Sequence, residues 1–275
     1  MEHETAIFQD SRENQFEYHT CGPEDGYPVL YMHGAIPMPF SKNLIQIAQT
    51  HHLRLIAVLR PGYGNSSRLH YKNIFEYALT LGEFIANLRR ERFDVLGLSA
   101  GSPYCYALAA AYPERVNGVN ICSGIPLANN PAIFRMNAPR ERFFFSLSKY
   151  LPPSFLGKYG IKMIEAAERK KRWKDTADGG SMDEIFQKYV YPNWYGLGCS
   201  TRLQYKYWGF AAESITRKTY IYHSKADEAI PFEIARKSAG LLKNSMFFPY
   251  ENEEHASERI IKDALVHIAG RVSQH

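Results

Sequence analysis

Gly97-Leu98-Ser99-Ala100-Gly101 is the stretch of this chain whose residue types and spacing point most directly to chemistry. It follows the apolar run Asp94 to Leu98 and precedes an Ala-rich stretch, Tyr104 to Ala111. A serine with glycines two positions away on each side, set between strand and helix, fits a tight turn whose small flanking residues let backbones pass closely. Such a turn raises the hydroxyl above the end of a sheet and aims a helix N-terminus at a developing oxyanion. The chemistry this implies is acyl transfer with Ser99 as nucleophile.

A serine nucleophile needs a base, and the base needs an acid to orient it. In a strand–turn–helix setting these follow in the chain order serine, acid, histidine. After the run Thr219 to Tyr222 comes His223-Ser224-Lys225-Ala226-Asp227-Glu228, which places Asp227 at a strand's C-terminal end; Glu228 is the competing acid. After Met246 to Phe248 comes Glu251-Asn252-Glu253-Glu254-His255. Order and placement select His255 as the base from ten histidines, with His267 inside a helical pattern. His33-Gly34-Ala35 directly follows another buried run, so the backbone amides of Ala35 and Ala100 are the expected oxyanion donors, and His33 braces that loop. This chemistry needs neither metal nor organic cofactor, and none is expected.

The elements that must position these residues are legible as hydrophobic pattern. Val29 to Met32, Leu55 to Leu59 and Val95 to Leu98 are short continuous apolar runs bounded by Gly or Pro, as in strands buried on both faces of a parallel sheet. Between them, Met38 to His52 and Asn73 to Arg92 carry apolar residues at helical spacing. A helix from Ser99 to Tyr112 and a strand near Val116 to Cys122 continue the alternation, which predicts a doubly wound α/β sheet. The pattern stops at about Pro126 and resumes near Thr216. The intervening segment is aromatic and basic, and Pro152-Pro153, Gly179-Gly180 and Pro192 punctuate it into short helices. The expected organisation is a first core part at 1–125, a helical insertion at 126–216, and a second core part at 217–275.

Composition narrows the function classes. The chain has 275 residues, 45% hydrophobic and 22% charged, enough to bury a large core without disulfides or a structural metal. Four separated cysteines form no CxxC pair, which speaks against a zinc site or a disulfide framework. The formal charge of +5 is mild, and the densest basic run, Glu168 to Lys174, reads as the solvated face of a helix rather than a nucleic-acid footprint. No run reaches the roughly 18–20 apolar residues of a membrane span, and Met1 to Gln15 lacks an apolar leader, so the expected location is cytoplasmic.

Taken together, His33-Gly34, Arg60-Pro61-Gly62-Tyr63-Gly64-Asn65-Ser66, Gly97 to Gly101, Tyr112-Pro113-Glu114-Arg115-Val116, Asp227 and His255 resemble the capped α/β-hydrolase superfamily over nearly the whole chain. The resemblance implies an eight-stranded, mostly parallel sheet with flanking helices, a helical cap over the active site, and Ser99, Asp227 and His255 as triad. It departs from common forms of the superfamily at Leu59, where Asp is frequent, at Ser102, where a second Gly is frequent, and at Glu254, where Gly is frequent. A serine nucleophile also separates the chain from haloalkane dehalogenases and epoxide hydrolases, which the resemblance associates with Asp. The expected function is hydrolysis of an ester-type acyl bond of a small molecule, with the aromatic insertion favouring an apolar or aromatic acyl part. Aminoacyl amide hydrolysis (as in an iminopeptidase) and carbon–carbon bond hydrolysis use the same triad. A small-molecule receptor that keeps the triad with little turnover is the alternative of another class. An aromatic cap surface leaves a homodimer open.

Overall fold

The apolar runs are the middles of strands whose two faces are both covered. In a computed structural model, which describes residues 4–38, 40–88, 91–171, 182–190 and 194–273, eight strands form one sheet. They are β1 (Glu4–Gln9), β2 (Gln15–Cys21), β3 (Tyr27–Met32), β4 (Leu53–Val58), β5 (Phe93–Leu98), β6 (Val116–Cys122), β7 (Thr219–Ser224) and β8 (Ser245–Tyr250). Their spatial order is β1-β2-β4-β3-β5-β6-β7-β8. The pairs β1/β2 and β2/β4 are antiparallel, and every other neighbouring pair is parallel.

The helices are α1 (Lys42–Thr50), α2 (Ile74–Thr80), α3 (Gly82–Ala86), α4 (Ser102–Ala111), α5 (Pro131–Phe134), α6 (Pro139–Ser148), α7 (Pro153–Lys171), α8 (Met182–Ile185), α9 (Tyr195–Gln204), α10 (Phe232–Ala239) and α11 (Glu258–Val272). Strand periodicity divides each buried run between two cores. Leu30, Met32, Val95 and Ile121 join Ile74, Tyr77, Leu108 and other residues of α2 and α4 on one face. Val29, Tyr31, Leu96, Leu98 and Cys122 join Leu44, Ile45, Ile261 and Leu265 of α1 and α11 on the other. Helices α5 to α9 come between β6 and β7 in the chain, where the strand pattern lapses.

Two helix expectations need correction. The pattern from Asn73 to Arg92 is not one helix: α2 ends at Thr80, Leu81 caps it, and α3 starts at Gly82, where the Tyr112 hydroxyl lies against the backbone and would meet a Cβ at 2.8 Å. Likewise α1 begins only at Lys42, where Ser41 Oγ accepts the Leu44 N–H at 3.2 Å and fixes the N-terminus. The basic run at 168–174 continues α7 as far as Lys171 and then lies outside the described residues.

At the end of the sheet away from Ser99, Asp94 is fully buried at the start of β5. Its Oδ2 accepts from Arg271 Nη2 of α11 at 2.6 Å and Asn120 Nδ2 of β6 at 2.9 Å, and its Oδ1 accepts from the Tyr27 hydroxyl of β3 at 2.9 Å. One carboxylate thus ties three strands to the last helix. Asp94→Asn keeps the shape but leaves the Arg271 guanidinium without its counter-charge. The expected result is a loss of about 3 kcal/mol in unfolding free energy, read by urea denaturation, with little effect on chemistry at the opposite end of the strands.

Candidate active site

The chain leaves β5 at Leu98 and turns at once. Ser99 has φ +48°, a left-handed conformation that a non-glycine residue adopts at a cost of about 1–2 kcal/mol. Residues Ser99–Gly101 make one tight turn before α4 begins. Both flanking glycines are demanded by space. A Cβ on Gly97 would sit 2.8 Å from Cys105 Sγ, and one on Gly101 would sit 2.0 Å from the Met32 carbonyl oxygen. The register Met32↔Gly97 and Leu98↔Cys122 brings the C-terminal ends of β3, β5 and β6 level beneath the serine.

Ser99, Asp227 and His255 lie far apart in sequence and meet here. Ser99 Oγ is 2.9 Å from His255 Nε2, and His255 Nδ1 is 2.9 and 3.0 Å from the two Asp227 carboxylate oxygens. A carboxylate only accepts, so Nδ1 carries the proton and Nε2 is left to accept from the serine hydroxyl. The Asp227 side chain is fully buried, and its Oδ1 also accepts the N–H groups of Ala229 and Ile230 at 2.9 Å each. Burial alone would raise this carboxyl, but the bonds from His255 and Ile230 and the neighbouring imidazoles outweigh it and hold it below its ordinary value. It is therefore a carboxylate throughout the neutral range. The competing acid, Glu228, is exposed.

The amides of Ala35 and Ala100 are oriented through the carbonyls that share their peptide planes. In a trans peptide the C=O and the following N–H point in opposite directions, so a donor gripping the carbonyl fixes the N–H. The Ser99 carbonyl accepts from Ser102 Oγ at 2.7 Å and the Ile125 N–H at 3.2 Å, which sets the Ala100 N–H. The Gly34 carbonyl accepts from Arg60 Nη2 at 2.6 Å and faces His33 Nδ1 at 2.8 Å, which sets the Ala35 N–H. Gly34 itself lies against the Ser99 turn, where an added Cβ would be 3.7 Å from Ser99 Cβ. His33 braces this loop with a defined tautomer: Nδ1–H donates to Gly34, while Nε2 accepts the Arg60 backbone N–H at 3.2 Å. Burial, reinforced by the Arg60 charge, lowers the His33 imidazole well below its ordinary value and keeps it neutral.

A profile of the Alpha/beta hydrolase family matches residues 29–252. The chain belongs to the alpha/beta hydrolase family. Among curated relatives, this hydrolase is 29% identical over 109 residues to the uncharacterized hydrolase YcgS of Bacillus subtilis, covering 40% of this chain and 38% of that one. It is 33% identical over 97 residues to haloalkane dehalogenase 2 of Mycobacterium tuberculosis, covering 34% of each. The matched stretches thus span little more than a third of these relatives' lengths. Among solved structures, haloalkane dehalogenase DbeA from Bradyrhizobium elkani superposes with a TM-score of 0.71 at 16% identity over 100% of both chains. The enol-lactonase from Burkholderia xenovorans gives 0.67 at 13% identity over 98% of this chain and 100% of that one. At such identities the likeness is one of fold.

Around the Ser99, His255 and Asp227 cluster lie residues whose part sequence reading missed. Arg60 is 1% exposed, and its guanidinium spans the carbonyls of His33 (2.5 Å) and Gly34 (2.6 Å) and Ser200 Oγ of α9 (3.0 Å). Its Cζ stands 4.8 Å from the centroid of the Tyr104 ring. The Tyr63 hydroxyl donates to the Ala35 carbonyl at 2.8 Å, so three successive carbonyls of the loop are held by side chains. His223, buried on β7, faces the Ile230 carbonyl at 2.9 Å and Asp227 Oδ2 at 3.5 Å, bracing the acid from behind. The only advance signal for Arg60 was its position beside Pro61-Gly62.

Two departures from common superfamily forms acquire a use. Ser102 supplies the hydroxyl that grips the Ser99 carbonyl, and Leu59 packs with Tyr63, Ile161 and Leu197 between core and insertion. Of the inserted aromatics, Phe145 stacks on Tyr205 at 3.9 Å and Trp208 stacks on Tyr106 at 6.1 Å, so these serve packing; Trp173 and Tyr191 lie outside the described residues.

Proposed function

We propose that this hydrolase is a serine hydrolase that cleaves an ester-type acyl bond of a small molecule through an acyl-enzyme. The observation that carries the reading is the continuous chain from Ser99 Oγ through His255 to a buried, ionised Asp227. Ser99 attacks the acyl carbon while His255 Nε2 takes its proton; Asp227 holds the tautomer and stabilises the imidazolium. The negative charge that develops on the acyl oxygen is met by the Ala35 and Ala100 N–H groups, each worth about 10²–10³ in kcat where one such donor is lost. His255 then gives its proton to the leaving oxygen. Water, deprotonated by the same imidazole, attacks the acyl carbon; the bond from that carbon to Ser99 Oγ then breaks, and His255 returns the proton to Oγ.

The segment 126–216 acts in this reading as a cap, with Ser200 of α9 seated on Arg60 beneath it. An apolar or aromatic acyl part suits its composition, and the fold is shared with an enol-lactonase and with haloalkane dehalogenases. A seryl hydroxyl at the turn favours acyl chemistry over displacement by a carboxylate.

The test is reaction with a fluorophosphonate probe, read by intact mass and peptide mapping, followed by a panel of aryl esters and lactones. Stoichiometric labelling of Ser99 in wild type, absent in Ser99→Ala, is the expected result. A folded wild type that does not label and turns over no ester would overturn the reading and favour a ligand-binding role.

A further inference from the structure

The charge of this chain is unevenly placed. Residues 131–162 carry Arg135, Arg140, Arg142, Lys149, Lys158 and Lys162 against Glu141 alone, a local excess of +5 that equals the formal excess of the whole protein. The Glu141 carboxylate is held at the start of α6, where it accepts the Ala138 N–H at 3.0 Å.

The same stretch also concentrates exposed apolar side chains. Twelve large hydrophobic residues are exposed among the described residues, and six of them fall between 136 and 159: Met136, Phe143, Leu147, Tyr150, Phe155 and Tyr159. Their spacing is not random. Phe143, Leu147 and Tyr150 follow one another at i, i+4 and i+7 along and just beyond α6, and Phe155, Tyr159 and Lys162 do so along α7. The Phe144 and Tyr159 rings, 5.8 Å apart, join the two helices. The opposite faces are anchored, with Phe145 stacked on Tyr205 and Leu156 and Ile161 buried. Phe143 is 73% exposed and Tyr150 81%, so these rings project outward rather than forming the floor of a groove.

We infer that the α6–α7 face docks on an anionic lipid bilayer, its aromatic and aliphatic side chains entering the headgroup layer while the exposed Arg140, Lys158 and Lys162 engage lipid phosphates. This is the chemistry of an interfacial helix: apolar residues with rings on one face, Lys and Arg beside them. Exposed apolar side chains gathered on two touching helices and flanked by cations also mark an interaction surface on general grounds. A second copy of the chain fits poorly, since an isologous contact would set this excess of +5 against its equal. A single-stranded nucleic acid fits poorly too, because rings that project outward form no basic groove to track its phosphate backbone. No helix among the described residues is long and apolar enough to cross a membrane, so the contact is one of surface docking.

The docking is independent of the Ser99 chemistry, and its test separates the two. Full-length protein is mixed with vesicles of phosphatidylcholine alone, or of phosphatidylcholine with one-third phosphatidylglycerol, and the bound fraction is read by flotation. The expected result is binding to the anionic vesicles at low salt that falls by about tenfold on neutral vesicles or in high salt. F143S/Y150S/F155S and R140E/K158E/K162E are each expected to cut anionic binding by about tenfold while keeping the wild-type circular dichroism spectrum. Ser99→Ala should float as wild type does. Failure of wild type to float with anionic vesicles at low salt overturns the proposal, as does flotation indifferent to both sets of substitutions. If the same substitutions instead convert a dimer to monomer, or abolish oligonucleotide binding while flotation is unchanged, the face belongs to that other partner and the proposal is wrong.

Discussion

Ser99→Ala and His255→Ala are each expected to lower kcat/KM by about a millionfold on any ester the protein hydrolyses, and the double variant to be no worse than either single one. The hydroxyl and the imidazole act as one unit across 2.9 Å: without the base the serine is a poor nucleophile, and without the serine the base has no proton to take. Independent contributions would multiply; a shared one does not. Asp227→Asn should cost about 10⁴-fold by the same logic, because an amide facing Nδ1 no longer demands the tautomer that leaves Nε2 free to accept. The measurement is steady-state kinetics of the two single variants and the double, with circular dichroism to establish folding. Multiplicative losses, or a His255→Ala variant within tenfold of wild type, would remove the proposed triad.

Arg60→Met should lower kcat by about 10²–10³-fold with KM little changed, although Arg60 is proposed to touch no substrate atom. It is a positioning residue. Its guanidinium holds the His33 and Gly34 carbonyls, and the Gly34 carbonyl shares its peptide plane with the Ala35 N–H. Methionine fills similar space but leaves those carbonyls ungripped, so the Ala35 N–H loses its fixed direction and helps the tetrahedral intermediate less than it should. Substrate binding does not depend on that interaction to the same extent, which is why the loss belongs in kcat. Arg60→Lys restores the charge, but one ammonium cannot span two carbonyls and Ser200 as a planar guanidinium does, so partial rescue is expected. A merely structural role would lower the melting temperature and leave kcat per folded molecule unchanged, and that result would sink the idea.

The Ser99 turn was legible because its glycine–serine–glycine pattern lies within five consecutive residues. Gly97 and Gly101 sit two residues from Ser99; Gly97 is crowded by Ser102 and Cys105 just past the turn, whereas Gly101 is crowded by the Met32 and His33 backbone at the end of β3, so the pattern is short although one of its causes is tertiary. The central strands were legible for a related reason: burial on both faces leaves a continuous apolar run, as in β3 and β5. The polar strands β1, at the sheet edge, and β2, beside it, went unread. The exposed β1 carries no such run, and β2 buries Glu17 and His19 as a hydrogen-bonded pair.

Chain order narrowed the histidines to one, yet only folding brings His255 to Ser99 across 156 positions and Asp227 to His255 across 28. Arg60 shows the limit most clearly. Its partners are His33, Gly34 and Ser200, separated from it by 27, 26 and 140 positions, and no spacing rule connects them. The aromatic insertion shows the same limit in another way. Composition gave its rings one common character, but packing decides that Phe145 lies stacked on Tyr205 while Phe143, two residues earlier, faces outward. Sequence by itself determined the strand–turn–helix that carries the serine and the order of its partners, because those depend on neighbours along the chain. Which side chains hold the amides in place, and which face of each inserted helix is covered, depends on surfaces brought together from distant segments, and only the tertiary structure decided them.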